Sequence, residues 1–417
     1  MPEVTGAVAQ AFDVVVVGGG PVGALAAALL QQARLGAAAL RVALIEPQVP
    51  DPPAQGGAPE ARVVAISRAS ERLLRSAGAW THVAPARACA YQRMRIWHES
   101  IRPDDEAVLV FDAADVGEPN LGYIVENRLL QSALIGAFRE AGGHLEVAQF
   151  RSLAIGDDAV RVETSAGVLA SRLVVGADGA KSAVREASGL HAQLSDYGQS
   201  AIVATVATER PHQLTAWQRF MGQGTLAFLP LFDGSSSIVW SADAALAARL
   251  SGASDTDFAR ELDRASDLAL GSTRLVSERL SFPLKRLAVP RYIAQRVALV
   301  GDAAHVVHPL AGQGVNLGLL DAGALAQLAA AALSRREDPG SVRVLRDYER
   351  WRKSEVAVMG TAIDGFDRLL AHGTGPVARL AQRGLGWVSR SQELRRLFIA
   401  RALGLSGELP EAARRAS

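Results

Sequence analysis

The sequence predicts an α/β protein in which a nucleotide-binding domain is interleaved with a β-sheet domain and is followed by C-terminal helices. Three apolar runs, at 12–17, 173–175 and 297–300, carry this prediction. Each has the length of a buried strand, and each ends at a glycine. Helical patterns follow these runs, as in a parallel sheet whose ligands bind at the carboxyl ends of the strands.

The first run leads into a glycine-rich turn that fits the dinucleotide fingerprint G-x-G-x-x-G. Gly18 permits the tight turn, Gly20 leaves room for a pyrophosphate, and Gly23 allows the following helix to pack closely on the strand. A second strand, 41–45, ends at Glu46, where an acid can bind both hydroxyls of a ribose. Strand, turn, helix, strand and acid in this order predict a Rossmann-like domain.

The last of the three runs ends at Gly301 and Asp302, so a carboxylate stands at the same edge of the sheet. Gly312 and Gly314 follow, and a long Leu/Ala helix is predicted from 315 to 335. The N-terminus of this helix, at Gly314 and Val315, has free N–H groups and a positive dipole end, which favour a ligand that carries negative charge. This combination suggests a nucleotide cofactor whose ring becomes an anion when it is reduced.

β-rich runs between these motifs predict a second sheet, so the chain alternates between two domains. The predicted parts are nucleotide-binding segments at 11–92, 121–190 and 286–345, β-sheet segments at 93–120 and 191–285, and a C-terminal helical region at 346–417.

Composition limits the classes of function. A formal net charge of +1 over 417 residues argues against nucleic-acid binding. One cysteine, Cys89, leaves no internal disulfide and fits a reducing compartment. No Cys/His cluster or H-E-x-x-H motif suggests a metal site. We expect a cytoplasmic protein, since neither a charged leader before an apolar core nor a long unbroken apolar segment is present.

Three motifs in order, at 18–23, 176–179 and 301–305, resemble those of the single-component flavoprotein aromatic hydroxylases, of which para-hydroxybenzoate hydroxylase is a familiar example. The resemblance covers nearly the whole chain. Within that superfamily, segments 62–80, 91–97 and 308–318 are similar to the ubiquinone-biosynthesis hydroxylases of the UbiH/UbiF/VisC type. The implied cofactor is FAD, and the implied co-substrates are NAD(P)H and O2.

The resemblance also implies roles for individual residues. Gly18, Gly20 and Gly23 would hold the FAD pyrophosphate, and Glu46 the adenosine ribose. Arg62 and Arg128 would contact FAD, and Asp178 would contact both FAD and the nicotinamide nucleotide. Asp302 would bind the ribityl or phosphate region. The backbone of Gly314, Val315 and Asn316 would bind the pyrimidine edge of the flavin.

The catalytic residues are not determined by the sequence. His305 is interpreted as a packed histidine near the cofactor. His308, nearer the expected ring, is a candidate catalytic residue, and a packing role is an equal alternative. No residue matches a proton relay that would ionise a phenol.

The implied activity is hydroxylation of the aromatic ring of a polyprenyl phenol or quinol in ubiquinone biosynthesis. The alternatives are a hydroxylase of a small soluble phenol, an FAD-dependent reductase of the same fold, and an FAD-binding scaffold. A lipophilic substrate would be met at the surface of the inner membrane or within a biosynthetic complex. The segment 377–405 mixes Leu, Trp and Phe with Arg, which suits an anionic interface or ordinary packing on the nucleotide-binding domain.

Overall fold

The computed structural model describes residues 10–35, 38–54, 56–83, 87–308, 313–366, 393 and 407–415. The expected interfacial segment 377–405 lies outside this part of the chain apart from Glu393, as do Gly312 and the C-terminal helices expected beyond Phe366.

Eight α-helices are present among the described residues. In chain order they are α1 (Pro21–Gln32), α2 (Arg68–Ser76), α3 (Asn127–Glu140), α4 (Ala183–Ala187), α5 (Ala244–Gly252), α6 (Asp255–Ser266), α7 (Gln313–Ser334) and α8 (Val342–Phe366).

The described strands form two large sheets and two small ones. In chain order they are β1 (Gln10–Val17), β2 (Arg34–Leu35), β3 (Ala38–Ala39), β4 (Val42–Ile45), β5 (Val63–Ser67), β6 (Cys89–Tyr91), β7 (Arg93–His98), β8 (Leu109–Asp112), β9 (Gly122–Glu126), β10 (His144–Glu146), β11 (Phe150–Ile155), β12 (Val160–Thr164), β13 (Val168–Gly176), β14 (Gln193–Thr208), β15 (Thr215–Met221), β16 (Gly224–Pro230), β17 (Ser236–Asp243), β18 (Thr273–Leu275), β19 (Leu280–Ala288), β20 (Ile293–Ala294), β21 (Val297–Leu299) and β22 (His305–Val306).

The first large sheet has a parallel centre in the order β10-β4-β1-β13-β21. Its central strands are buried on both faces. Helix α1 packs on β1 and β4, and α3 and α7 pack on α1. The antiparallel strands β12 and β11 extend the sheet beyond β13. The three apolar runs of the sequence are therefore neighbours, and their carboxyl ends meet at one edge.

The second large sheet is mostly antiparallel, in the order β22-β19-β14-β17-β16-β15-β7-β8. Side chains alternate between its two faces, as the pleat of a strand requires. On β17, Ile238 and Trp240 are buried in a core formed with α5 and α6. Ser237, Val239 and Ser241 point to the opposite face, toward the nucleotide-binding domain.

The predicted α/β fold with two interleaved sheets is confirmed, although several boundaries differ. Residues 215–221 and 280–288 form long strands that the sequence interpretation did not single out. β19 continues to Ala288 and β22 pairs with it, so the second sheet reaches into the segment expected to return to the nucleotide-binding domain at 286. The domain boundaries stay predictions.

Helix α7 is long and apolar because it is a core helix. Its segment Gly314–Ser334 has the length and hydropathy of a membrane span, but 72% of that window is buried inside the protein. It packs on α1, α2 and α8. Its composition is therefore explained by the core of this domain.

Candidate active site

One cavity of about 1060 Å³ lies between the carboxyl edge of the first sheet and the inner face of the second. Pockets for small molecules typically have volumes of about 300–1,000 Å³, so this one has room for more than one ligand. Most of the predicted cofactor residues line it, namely Gly18, Gly20, Glu46, Arg62, Asp178, Asp302, Gly314 and Val315. Gly23, Arg128 and Asn316 do not.

The glycine turn after β1 has the shape that a bound phosphate group needs. Gly18 has φ +102°, and a Cβ there would lie 2.4 Å from the carbonyl oxygen of Ala177, so only glycine fits. A Cβ on Gly23 would lie 1.9 Å from the carbonyl oxygen of Gly18. In contrast, a Cβ on Gly20 meets no protein atom within 4 Å. The space beside Gly20 therefore belongs to the cavity, and the turn fits a pyrophosphate.

The Glu46 carboxylate is held in place by the same turn. Its Oε2 accepts a hydrogen bond of 2.6 Å from the N–H of Gly19, and its Oε1 accepts one of 3.0 Å from the N–H of Gln48. An ionised carboxylate has about four acceptor positions, so two remain for the hydroxyls of a ribose. Glu46 thus fits the predicted contact with the adenosine half of a dinucleotide.

A buried carboxylate positions the Asp302 turn. Asp321 of α7 is fully buried, and its Oδ2 accepts hydrogen bonds from the N–H of Gly301, at 3.0 Å, and from Nε2 of His305, at 2.6 Å. Its Oδ1 accepts a bond of 2.7 Å from Nε of Arg352 on α8. The opposite side of the turn is held by Arg185, which donates a bond of 3.0 Å to the carbonyl oxygen of Ala303.

The environments of the two acids differ. Burial alone would raise the pKa of Asp321, but the charges and hydrogen bonds of His305 and Arg352 outweigh burial and lower this pKa. Asp302 is accessible from the cavity, and the surrounding walls raise its pKa, an effect that His305 and Arg62 partly offset. Asp321 therefore stabilises the turn as an anion, and Asp302 presents its oxygens to the cavity.

The remaining predicted cofactor residues have partners within the protein. Both oxygens of Asp178 accept hydrogen bonds, from the Ser182 hydroxyl and the Val184 N–H, at the start of α4. Arg128 forms an ion pair with Glu60. The Asn316 side chain bonds to β5, accepting from the Ser67 N–H and donating to the Ala65 carbonyl. The contacts of these residues with the cofactor stay predictions.

The two histidines are buried in different surroundings. His305 packs on Tyr292 and bonds to Asp321, in agreement with its interpretation as a packed histidine. His308 is only 1% exposed, and its Nε2 lies 2.8 Å from Oε1 of Gln199 on β14. It is not among the described residues that line the cavity, and its candidate catalytic role stays a prediction.

Sequence reasoning missed Asp321, Arg352 and Arg185. A signal for Asp321 was present, since it is the one charged residue between 314 and 334. A lone acid in an apolar helix is rarely buried without a partner. Its partners could not be found in the same way, because Arg352 is 31 residues away and stands among other arginines. Within the described residues, no group of three or more His, Cys, Asp or Glu side chains could hold a metal ion.

Comparison with known proteins identifies the cofactor. The family described as FAD binding domain matches residues 11–359. The chain belongs to this family. Its cofactor is FAD, and the glycine turn, Glu46 and Asp302 fit the two halves of that dinucleotide.

Curated relatives extend over nearly the whole chain. The chain is 35% identical to ubiquinone hydroxylase UbiL of Rhodospirillum rubrum, over 96% of this chain and 91% of that protein. It is also 35% identical to 3-demethoxyubiquinol 3-hydroxylase of Escherichia coli, over 95% and 99%. The human mitochondrial ubiquinone biosynthesis monooxygenase COQ6 is 33% identical over 81% of both chains. The enzyme is an FAD-dependent monooxygenase.

Solved structures support the fold. p-Nitrophenol 4-monooxygenase PnpA of Pseudomonas putida has a TM-score of 0.74 at 20% identity, covering 94% of this chain and 98% of its own. The Diels-Alderase PyrE3 of pyrroindomycin biosynthesis has a TM-score of 0.71 at 19% identity, covering 95% of this chain and 82% of its own. Proteins with different reactions thus share the fold, so the fold alone does not determine the substrate.

We expect Gly20→Val to abolish retention of FAD while the protein stays folded. The backbone at Gly20 has φ −59° and ψ 171°, which valine adopts readily, and the added side chain would enter the space of the pyrophosphate. Flavin absorbance after gel filtration measures the effect. Gly136→Ala, on α3 with open space around it, is the control and should keep its FAD. A yellow Gly20→Val protein would contradict this placement of the pyrophosphate.

We expect Asp321→Asn to destabilise the protein at neutral pH by about 3–5 kcal/mol, because it leaves the buried Arg352 without a counter-charge. The contribution of Asp321 is present above its unfolded pKa of about 3.9 and is lost as pH falls through the lower folded pKa. The difference from wild type should therefore shrink below about pH 4. Urea unfolding at several pH values tests this.

The control for this experiment is Asp347→Asn, which removes a half-exposed acid from the surface of α8 and should have little effect at any pH. An Asp321→Asn variant as stable as wild type at pH 7 would show that the buried carboxylate does not hold the turn.

Proposed function

We propose that this enzyme hydroxylates the aromatic ring of a polyprenyl phenol or quinol precursor of ubiquinone, with NAD(P)H as electron donor and O2 as oxidant. The observation that carries the proposal is the chemical division of the cavity. Its charged lining residues, Glu46, Arg62, Asp178 and Asp302, all belong to the side that fits FAD. The lining contributed by the second sheet is uncharged throughout its described residues.

The uncharged side favours a lipophilic substrate over a small acid. It is formed by small and apolar side chains, namely Met94, Phe111, Val203, Ala216, Ala227, Leu229, Val239, Leu280 and Phe282, together with a few neutral polar ones. A hydroxybenzoate would bring a carboxylate that needs a cationic partner. The described lining residues of this sheet provide none, whereas they suit an apolar tail.

The mouth of the cavity also suits a lipophilic compound. Leu280 and Phe282 of β19 line the cavity and are nevertheless 43% and 45% exposed. Leu280 and Phe282 lie on the same face of one strand, and adjoining exposed apolar side chains mark interaction sites more often than single ones do. They would give a prenyl chain an apolar path between a membrane surface and the cavity, so the proposed location is the cytoplasmic surface of the inner membrane.

The protein orients the reactants and excludes water, while FAD supplies the redox and oxygen chemistry when it is bound. Asp302 would accept hydrogen bonds from the hydroxyls of the cofactor, on a turn fixed by Asp321. The start of α7, at Gly314 and Val315, would place its positive dipole end against the cofactor ring and stabilise negative charge there. The inner face of the second sheet would shield the reacting ring from water.

Turnover with 18O2 tests the proposal. The FAD-loaded enzyme should incorporate one labelled oxygen atom into a phenol carrying two isoprene units, with about one NAD(P)H consumed per product. Tightly coupled labelling of hydroxybenzoates but not of the prenyl phenol would contradict the substrate assignment. Oxidation of NAD(P)H with substrate present and no label in any product would favour the reductase alternative.

A further inference from the structure

Gln218 and Thr225, on the inner face of the second sheet, carry buried polar atoms without a hydrogen-bond partner among the described residues. Gln218 of β15 is 4% exposed, and its Oε1 accepts no hydrogen bond from the described residues. Thr225 of β16 is 5% exposed, and its hydroxyl is likewise without a partner in the described part of the chain. Both line the cavity. Buried polar groups are nearly always paired, so these two need an explanation.

The strand register places the two groups beside each other. Gln218 lies opposite Ala227 in the β15–β16 ladder, and Thr225 stands two residues before Ala227 on the same face. Such diagonal neighbours lie about 7–8 Å apart, with their Cβ atoms somewhat closer, so the two side chains face the same space. The small Ala227 between them leaves the space above the sheet open. One ligand atom could therefore bond to both side chains.

Other unpaired hydroxyls on this face are too far away to join them. Ser237 of β17 is fully buried and also lacks a described partner. Ser241, four residues further along β17, is the residue that pairs with Thr225. Ser237 is thus about 13 Å along the strand from the Thr225 position, at about 3.3 Å per residue. The pair Gln218 and Thr225 therefore forms a local polar site that is separate from Ser237 on the same wall.

We propose that Gln218 and Thr225 bind a free hydroxyl group on the aromatic ring of the substrate and so set the orientation of the ring. This inference rests on the proposed function. A phenolic hydroxyl both donates and accepts, so it can donate to Gln218 Oε1 and accept from the Thr225 hydroxyl. If the Gln218 amide is rotated, its Nε2 donates to the phenol and the phenol donates to Thr225 Oγ1, so a hydroxyl fits both orientations. A methoxy group only accepts, so it leaves Gln218 Oε1 unpaired.

The proposed hydroxyl site is formed by two neutral side chains and contains no ionisable group. No residue matched a proton relay that would ionise a phenol, and no ionisable side chain lines the cavity from the described strands of the second sheet. Two neutral groups that exchange hydrogen bonds with a hydroxyl would hold the phenol without removing its proton. They would also discriminate between ring positions that carry hydroxyl and methoxy groups.

The test compares two isosteric variants, Thr225→Val and Gln218→Met, with wild type as FAD-loaded enzymes. The probes are 2-geranylphenol and its methyl ether, and changes in flavin absorbance during titration give the two dissociation constants. Each variant should bind the phenol about threefold to tenfold more weakly, as expected for one lost hydrogen bond. Gln218→Met should leave binding of the ether the same or tighter, so its preference for the phenol should fall. Thr225→Val should weaken both compounds, because both accept a hydrogen bond from the Thr225 hydroxyl, so its preference should change little.

The matched control is Thr205→Val on β14. Thr205 is 1% exposed and its hydroxyl also lacks a described partner, but it does not line this cavity. This variant should keep the wild-type affinities for the phenol and the ether. Thermal melting adds a second readout, because replacing an unpaired buried hydroxyl with a methyl group should not lower stability. A site that serves only the fold would lower the melting temperature and leave both affinities unchanged.

The outcomes separate this inference from the proposed function. Wild-type affinity for the phenol in both variants, or an unchanged phenol-to-ether ratio in Gln218→Met, would overturn the hydroxyl site and leave the proposed function standing. Failure of wild type to bind either prenyl compound would overturn the proposed function, and the inference would fall with it. Weaker binding of both compounds by Thr225→Val and a reduced ratio in Gln218→Met, with neither change in Thr205→Val, would support the site.

Discussion

The fully buried carboxylate of Asp321 connects the parts of the protein that form the active site. It joins α7 to the end of β21 through the Gly301 N–H, and it joins α7 to α8 through Arg352. A buried anion is costly unless every oxygen is paired, and here His305 completes the set. Because these bonds fix the turn that carries Asp302, the cofactor side of the cavity depends on a group that does not line it.

The second sheet forms the opposite wall of the cavity, because the side chains of its strands alternate between two faces. One face, with Phe228, Ile238 and Trp240, packs on α5 and α6. The other face carries small and neutral side chains that leave space. The same strands thus provide both the core and the cavity, and Gln218 and Thr225 would give this largely apolar wall its specificity.

Local patterns predicted the fold and the cofactor side of the site well. The glycines at 18, 20 and 23 and the acids Glu46 and Asp302 follow strands whose apolar runs are visible in the sequence, so their shared edge could be inferred. Contacts between distant segments could not be inferred. Arg352 is 31 residues from Asp321, and Gln218 and Thr225 become neighbours only through the register of β15 and β16. Without that register, both look like ordinary strand residues.

The central claim is that FAD and a lipophilic phenol share one cavity, with the cofactor at the edge of the first sheet and the phenol against the second. A crystal structure of the FAD-loaded enzyme with a bound prenyl phenol tests it most directly. We expect the flavin ring between the start of α7 and the inner face of the second sheet, with the phenol hydroxyl near Gln218. A phenol bound outside this cavity, or a flavin ring directed away from the second sheet, would contradict the account.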